Sequence, residues 1–161
     1  MGAKGNRFLH LLTLSHLFLT GFSSGELASD RRLLFLFDKI EVRGEMDVFL
    51  RQGKRLRECT VYADKEIIQT VKTQVTDRTL LIDANNTYSI GRRLPFLRID
   101  AKRVFPVEVI VSIRDLKEIA LLGAGNLSGS GIRSRHLKLF AGGSGKIDLR
   151  QFTTKSMEVI N

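Results

Sequence analysis

The sequence is poor in the residues that metal sites, disulfide scaffolds and catalytic dyads require. Its 161 residues include one cysteine, three histidines, two prolines and no tryptophan. A single cysteine excludes an internal disulfide, and the alternating stretch around Cys59 favours a small buried side chain over a reactive thiol. Only His136 lies beyond residue 28. A lone histidine and a lone cysteine, far apart in sequence, support neither a zinc site nor a nucleophile pair.

The motifs that bind nucleotides and calcium are incomplete. A dinucleotide fingerprint that begins at Gly123 needs a third glycine where the chain has Ser128. A calcium-binding repeat that begins at Gly142 needs an aspartate at the position of Ile147, and Asp148 comes one place late. The sequence therefore predicts no cofactor and no metal site.

The first 28 residues resemble a secretory signal. Lys4 and Arg7 precede a mostly apolar run over residues 8–22, and small residues follow at 23–25. The apolar run is shorter than the roughly 20 residues that a membrane-spanning helix needs. We expect a signal peptide over residues 1–28, cleaved near 25–28, and therefore an exported protein; an uncleaved anchor and a misassigned start codon are the alternatives.

Two lines of sequence recur at a fixed spacing. Residues 119–127 read IALLGAGNL and residues 139–147 read LFAGGSGKI, so each position follows its counterpart by 20 residues. Residues 40–50 form an earlier copy in which Met46 replaces the second glycine. A fixed offset of this length is typical of a repeat architecture in which each copy is one rung.

Alternating apolar residues within each line indicate short strands with one buried face. Glycine permits sharp turns and close backbone approach between such strands. One rung cannot bury its apolar face alone, whereas stacked rungs bury it continuously. The pattern predicts an all-β protein, a β-solenoid whose rungs pair in parallel, with structural turn glycines at Gly44, Gly123, Gly125, Gly143 and Gly145.

The rest of the chain predicts an N-terminal part of strands and hairpins. We expect two strands around Gly44, a strand over 56–63, a short helix over 64–71, a hairpin over 72–84 and a strand over 107–113. Residues 157–161 begin a third line and stop before its glycine turn. We therefore expect either a β-helix that is incomplete at its C-terminus or another strand that covers this edge.

The carboxylates are scattered rather than paired. Stacked rungs would bring Asp47 beside Asn126 and Lys146, which makes one acid, one amide and one ammonium. The acid pair of a polysaccharide-cleaving enzyme needs two carboxylates. The sequence thus predicts a protein that is not an enzyme, and a polysaccharide-active enzyme on a β-helix remains the alternative.

Positive charge is the only feature that indicates a binding surface. The formal net charge is +9, which attracts anionic surfaces. Residues 85–103 are expected to form a basic loop with a strand at 96–99, and this loop is either simply solvated or a contact for anionic glycan or lipid headgroups. Few aromatic residues accompany the charges, so no specific nucleic-acid partner is expected. The basic residues are Arg92, Arg93, Arg98, Lys102 and Arg103.

Several segments resemble the head GIN domain family of auto-transporter adhesins. The segments are FDKIEVRGEMDVFLRQG at 37–53, VTDRTLLI at 75–82, and the glycine turns at 123–125 and 143–147. The resemblance covers residues 37–161 apart from the basic loop. It implies an exported bacterial protein with a single-stranded right-handed parallel β-helix and without catalytic residues. Asn126 and Lys146 depart from the aspartate that is usual after Gly-x-Gly in this family.

These observations predict a head GIN-like β-helix domain over residues 33–161. We expect a non-catalytic binding or structural module of the cell envelope, similar to an adhesin, in the periplasm, on the outer membrane surface or outside the cell. A binder of anionic lipid or glycan through residues 92–103 is a further alternative. The expected partners are a cell-surface glycan, an anionic lipid, another envelope protein, or a strand that pairs at the C-terminal rung.

Overall fold

The described part of the chain is built of β-strands and contains no helix. The computed structural model describes residues 26–53, 57–94 and 97–161, with the side chains of 88–103 outside the description. Within these residues no helix has the length and apolar character needed to cross a membrane. The strands are β1 (Leu27–Leu33), β2 (Lys39–Arg43), β3 (Asp47–Gln52), β4 (Glu58–Asp64), β5 (Lys72–Thr76), β6 (Thr79–Asp83), β7 (Thr87–Leu94), β8 (Leu97–Val104), β9 (Val107–Ile113), β10 (Glu118–Leu121), β11 (Asn126–Ser130), β12 (His136–Ala141), β13 (Lys146–Arg150) and β14 (Ser156–Ile160).

Twelve of these strands form two six-stranded mixed sheets. We call the sheet with the order β1-β4-β9-β3-β11-β13 sheet A, and the sheet with the order β14-β12-β10-β2-β6-β5 sheet B. Strands β7 and β8 form a separate antiparallel hairpin. The all-β prediction is confirmed in this form. Strands β1, β4 and β5 pair antiparallel with their neighbours, and a coil made only of parallel rungs contains no such pairs.

Residues that are 20 positions apart in the repeat lie opposite each other on neighbouring parallel strands. In sheet B, Ile119 pairs in parallel with Leu139 on one side and with Ile40 on the other. In sheet A, Leu127 lies in the same way between Ile147 and Val48. The predicted parallel pairing of the repeat lines is therefore confirmed, including the early copy at residues 40–50.

Alternation along each strand places one set of side chains in a shared core. Ile40, Val48, Ile119 and Leu127 are all at most 1% exposed, whereas residues between them in the strands remain accessible. The core is one cluster that includes side chains from both sheets. At roughly 1.5–3 kcal/mol for each fully buried aliphatic side chain, burial of these rows is the main favourable contribution to folding.

Glycine is needed in the repeat turns because successive backbones touch there. A Cβ added at Gly123 would overlap the carbonyl oxygen of Gly44, and one added at Gly143 would overlap that of Gly123. Gly125 and Gly145 stack on each other in the same manner. Among the five predicted turn glycines, only Gly44 has a positive φ, of 91°. Close approach, rather than left-handed backbone, therefore explains the other four.

The predicted helix over residues 64–71 is wrong. The segment forms consecutive turns in which the amides of Ile67 and Ile68 donate to the Asp64 carbonyl oxygen. The Asp64 carboxylate accepts from the Glu66 amide, as expected for an aspartate that starts a turn. The apolar side chains that suggested a helix face are buried against the core instead: Ile67, Ile68 and Val71.

Two further expectations change in the structure. Strand β1 is not indicated by the sequence pattern, and its first two residues fall within the predicted signal peptide, most of which, residues 1–25, lies outside the described residues. The prediction of an irregular loop at 85–103 is wrong, because the backbone of this segment forms the β7–β8 hairpin. The hairpin of β5 and β6, by contrast, is confirmed with its turn at Asp77 and Arg78.

Replacing Gly123 with alanine should destabilise the protein strongly. The added methyl group would enter the space of the Gly44 backbone, so the two turns would have to separate. We expect a loss of about 2 kcal/mol or more in the free energy of unfolding, measured by urea titration. Gly53→Ala is the matched control, because no atom lies within 4 Å of the position that its added methyl group would take. Equal stability of the two variants would contradict the stacking of the turns.

Candidate functional site

The predicted basic residues belong to the β7–β8 hairpin. The register sets Arg93 directly opposite Arg98, and Ser89 opposite Lys102. The side chains of Arg92, Arg93, Arg98, Lys102 and Arg103 lie outside the described residues. Like charges at directly opposed positions weaken a strand pair. The register thus sets two of the predicted basic residues opposite each other, on a strand pair separate from both sheets.

Asn86 fastens the base of this hairpin to the body of the protein. Its side chain is 1% exposed, and its Nδ2 donates hydrogen bonds of 2.6 Å to the carbonyl oxygens of Glu45 and Phe105. The Phe105 amide donates in return to the Asn86 carbonyl oxygen at 3.1 Å. The entry and exit of the hairpin are therefore bound to each other and to the turn after β2.

A buried carboxylate joins three segments on the other side of the fold. Asp38 is 3% exposed, and its Oδ2 accepts from Arg78 Nη2 at 2.8 Å and lies 2.7 Å from Lys117 Nζ. Backbone hydrogen bonds run in parallel, from the Asp38 amide to the Arg78 carbonyl oxygen and from the Lys117 amide to the Asp38 carbonyl oxygen. The cluster ties the β5–β6 turn and the start of β10 to the start of β2.

Opposing effects act on the Asp38 carboxyl. Burial alone raises its pKa, but the hydrogen bonds and positive charges of Arg78 and Lys117 outweigh burial and hold the pKa below its usual value. A lowered pKa in the folded state stabilises the protein above the unfolded-state pKa of this group. That contribution is lost as the pH falls through the lower, folded-state pKa.

Cys59 and His136 are not arranged for catalysis. Cys59 is 1% exposed, and burial raises the pKa of its thiol, so it remains a protonated core residue, as the sequence predicts. The exposed His136 has its Nδ1 2.6 Å from Ser156 Oγ. Across residues 26–53, 57–94 and 97–161, no group of three or more potential metal ligands is present.

The stacked row that contains Asp47 is formed as predicted. Asn126 pairs with Asp47 on one side and with Lys146 on the other. The Asn126 Nδ2 donates to Asp47 Oδ1 at 2.8 Å. On the far side of Asp47, the same row continues to Glu108 on β9, an acid that sequence spacing did not bring to this position. Residues on neighbouring strands at one register point the same way, so these two carboxylates stand side by side rather than facing each other.

Sequence reasoning did not single out Asn86 or Asp38, although both are buried polar residues with defined partners. Asp38 meets Arg78 and Lys117 across 40 and 79 residues of sequence, so no local pattern indicates the cluster. Asn86 follows Asn85, whose positive φ of 43° starts the approach to the hairpin. The Asn-Asn pair is the one sequence signal for this turn.

Comparison with protein families matches these observations to a known group. A family model described as "Putative auto-transporter adhesin, head GIN domain" matches residues 36–161. The chain belongs to this family. The match includes the basic hairpin, which the sequence resemblance left out. No curated protein sequence matches this head GIN chain.

A solved structure shares the fold of this head GIN chain, and two others are similar to parts of it. A putative adhesin from Bacteroides fragilis NCTC 9343 has a TM-score of 0.68 and 16% identity over 84% of this chain and 58% of its own. A putative adhesin from Parabacteroides merdae ATCC 43184 has a TM-score of 0.45 and 13% identity, over 84% of this chain and 59% of its own. A putative lipid binding protein from Parabacteroides distasonis ATCC 8503 has a TM-score of 0.46 and 17% identity, over 81% of this chain and 61% of its own. The chain therefore spans about three-fifths of the length of these structures.

Asp38→Asn should lower the stability of the head GIN chain at pH 7. The variant removes two charge-assisted contacts from a buried acceptor, which are worth about 1.5–3 kcal/mol where such groups are protected; both cations are more than half exposed, so the lower end is expected. Thermal unfolding measured as a function of pH should show that the difference in stability between variant and wild type shrinks once the pH falls below the usual pKa of an aspartate. Glu41→Gln, which breaks a more exposed pair with Arg43, should cost less than about 1 kcal/mol. A gap that persists unchanged at low pH would rule out the charge as its cause.

Proposed function

We propose that this head GIN chain is a non-catalytic, exported binding or structural module of the bacterial cell envelope. The observation that carries the proposal is membership of an adhesin family across residues 36–161. The two sheets support it, because they form an extended, rigidly packed surface around one core. Function in such a protein resides in sites on the surface rather than in the fold itself.

The finer architecture that we propose is a right-handed single-stranded β-helix in the repeat part. Parallel pairing of β2, β10, β12 and β14 in sheet B, with β3, β11 and β13 in sheet A, supports it. Stacked glycines join the two sets at the same point of each rung. The antiparallel strands β1, β4 and β5 then close the opposite end of the stack.

The basic hairpin is the proposed contact for an anionic surface. Residues 87–104 carry five Lys or Arg and one acid, Asp100. Each basic residue near an anionic membrane contributes about 1 kcal/mol to binding. The Asn86 anchor supports this role, because it holds the base of the hairpin against the body of the protein.

We also propose that the chain is exported and that another strand pairs with β14 at the edge of sheet B. Residues 1–28 act as the signal that directs the chain out of the cytoplasm, with cleavage near 25–28. At the other end, β14 lies at the edge of sheet B, and its core-facing Met157 and Val159 are each 54% exposed. A further strand would cover these side chains and pair with the free backbone groups of β14.

A polysaccharide-active enzyme is the competing function. It requires two carboxylates that flank the scissile bond, about 5–10 Å apart. Asp47 and Glu108 are neighbours in one row, but they stand on the same face of sheet A and would lie on one side of a bound sugar. Asp47 is also satisfied by Asn126, and Asp148 is paired with Arg150 at 3.1 Å. The arrangement therefore favours binding without turnover.

Exchanging the hairpin arginines should abolish binding to anionic membranes. The variant Arg92→Gln/Arg93→Gln/Arg98→Gln removes three charges and should weaken binding to phosphatidylglycerol vesicles by about 100-fold or more at about 1 kcal/mol each. Sedimentation with vesicles measures the change. The control variant Arg114→Gln/Arg135→Gln/Lys155→Gln has the same net charge and changes exposed residues elsewhere. An equal loss in both variants would mean that net charge alone, and not the hairpin, causes the attraction.

The purified chain should leave polysaccharides intact. Incubation with polygalacturonate, alginate and chitin, followed by a reducing-end assay, should give the same signal as buffer, because Asp47 and Glu108 do not flank a common bond. Turnover above the buffer rate that is lost in Asp47→Asn or Glu108→Gln would overturn the non-catalytic proposal in favour of the enzyme.

A further inference from the structure

The outer face of sheet A carries a row that mixes aromatic, aliphatic, hydroxyl and acidic side chains. Thr60, Ile110, Phe49, Ser128 and Asp148 follow one another in register across β4, β9, β3, β11 and β13. Phe49 is 38% exposed although it lies between the fully buried Val48 and Leu50. An exposed aromatic ring in a well-packed strand leaves apolar area that a ligand is able to cover.

A second exposed ring lies on the same face. Tyr62 is 40% exposed on β4, and its row contains Glu108 and Asp47. Because β4 and β3 are separated by one strand, the two rings are about 10 Å apart across the sheet and are offset by two residues along it. The partly buried Ile110 lies between them. The result is a diagonal apolar strip with a ring at each end.

Beside Phe49 the surface sinks into a groove of about 570 Å³. Its floor is β11, where Ser128, Gly129 and Ser130 are small. Its walls are the larger side chains of the neighbouring strands, Phe49 and Arg51 on β3 and Asp148 and Arg150 on β13. The groove therefore combines an aromatic wall, a floor of hydroxyl groups, and a cation on each side.

Both cations have donors to spare. Within the described part of the chain Arg51 makes no ion pair or side-chain hydrogen bond, and it is exposed. Arg150 gives Nε and one Nη to Asp148 at 3.3 and 3.1 Å, and its side chain is still 78% exposed. Since β3 and β13 flank β11, the two guanidinium stems start about 10 Å apart. Each guanidinium can hold a carboxylate through two parallel hydrogen bonds.

The chemistry of this face discriminates between anionic ligands. Asp47, Glu108 and Asp148 share it, and their negative charge weakens the attraction of this face for ligands that bind by charge alone, such as a nucleic acid or a phospholipid headgroup layer. The same carboxylates accept hydrogen bonds from hydroxyl groups. A ligand that fits has many hydroxyls, flat apolar faces that stack on Phe49 and Tyr62, and carboxylates on its sugar rings, two of which reach Arg51 and Arg150 about 10 Å apart.

We infer that the outer face of sheet A is a binding site for an acidic polysaccharide, whose sugar rings stack on Phe49 and Tyr62 and whose carboxylates pair with Arg51 and Arg150. The inference rests on the proposed function as a surface-binding module and names the class of ligand. It assigns to sheet A a role separate from that of the basic hairpin, which contacts anionic membranes through charge alone.

The test is calorimetric titration of the full chain with polygalacturonate, a polymer of carboxylated sugars, and with dextran, a neutral one. The wild type should bind polygalacturonate and not dextran. Phe49→Ala/Arg51→Gln should weaken binding tenfold or more. The control Phe35→Ala/Arg135→Gln makes the same exchanges at exposed positions outside the groove and should bind within about twofold of wild type. Circular dichroism of each variant checks that the fold is kept.

Several results would overturn the inference: no binding of polygalacturonate, equal binding of dextran, binding that survives Phe49→Ala/Arg51→Gln, or double-stranded DNA that binds with the same dependence on Phe49 and Arg51. The hairpin variant Arg92→Gln/Arg93→Gln/Arg98→Gln separates this inference from the proposed function. It should lose vesicle binding and retain polygalacturonate binding. If this variant lost polygalacturonate binding together with vesicle binding, the sheet A site would be removed and the envelope module would stand.

Discussion

Contact between the backbones of successive glycine turns sets the geometry on which the other features depend. Gly123 lies so close to Gly44, and Gly143 so close to Gly123, that a side chain at Gly123 or Gly143 would enter the backbone of the preceding turn. This contact fixes the position at which the chain turns from a strand of sheet B to a strand of sheet A, and so fixes the register of the strands that follow. With register fixed, Ile40, Ile119 and their neighbours fall into a continuous buried row, because a slip of one residue would turn every side chain to the opposite face.

The same register arranges the surface. Outward-facing residues of sheet A form rows as regular as the buried ones, which is why Phe49, Ser128 and Asp148 lie side by side although 79 and 20 residues of chain separate them. In sheet B the row of Lys39, Glu118, Lys138 and Glu158 alternates in charge from strand to strand. A repeat therefore serves two purposes: its inward positions stabilise the stack, and its outward positions are free to carry a binding surface.

Sequence reasoning reached what local periodicity encodes. The alternation around Ile119 and Leu139, the fixed offset between them and the glycine turns predict parallel strand pairs, and the structure confirms these pairs.

Prediction from the sequence failed where the structure depends on residues that are distant in the chain. Residues 64–71 have the apolar spacing of a helix, but the segment forms consecutive turns, and these turns also bury Ile67 and Ile68 against the core. The Asp38 cluster and the antiparallel strand β1 depend on contacts across many residues, which one sequence does not display. For the basic segment the charges were evident, while the strand pairing that presents them was not.

The parallel strand pairs require that apolar side chains at paired positions of neighbouring strands touch each other in solution. Nuclear Overhauser spectroscopy on a methyl-labelled sample measures this contact directly. The account predicts cross-peaks from the Leu127 methyl groups to those of Val48 and Ile147, because β11 lies about 4.8 Å from both β3 and β13. Cross-peaks from Leu127 to residues near it in sequence alone, with none to either partner, would contradict the stacked arrangement and the sites built on it.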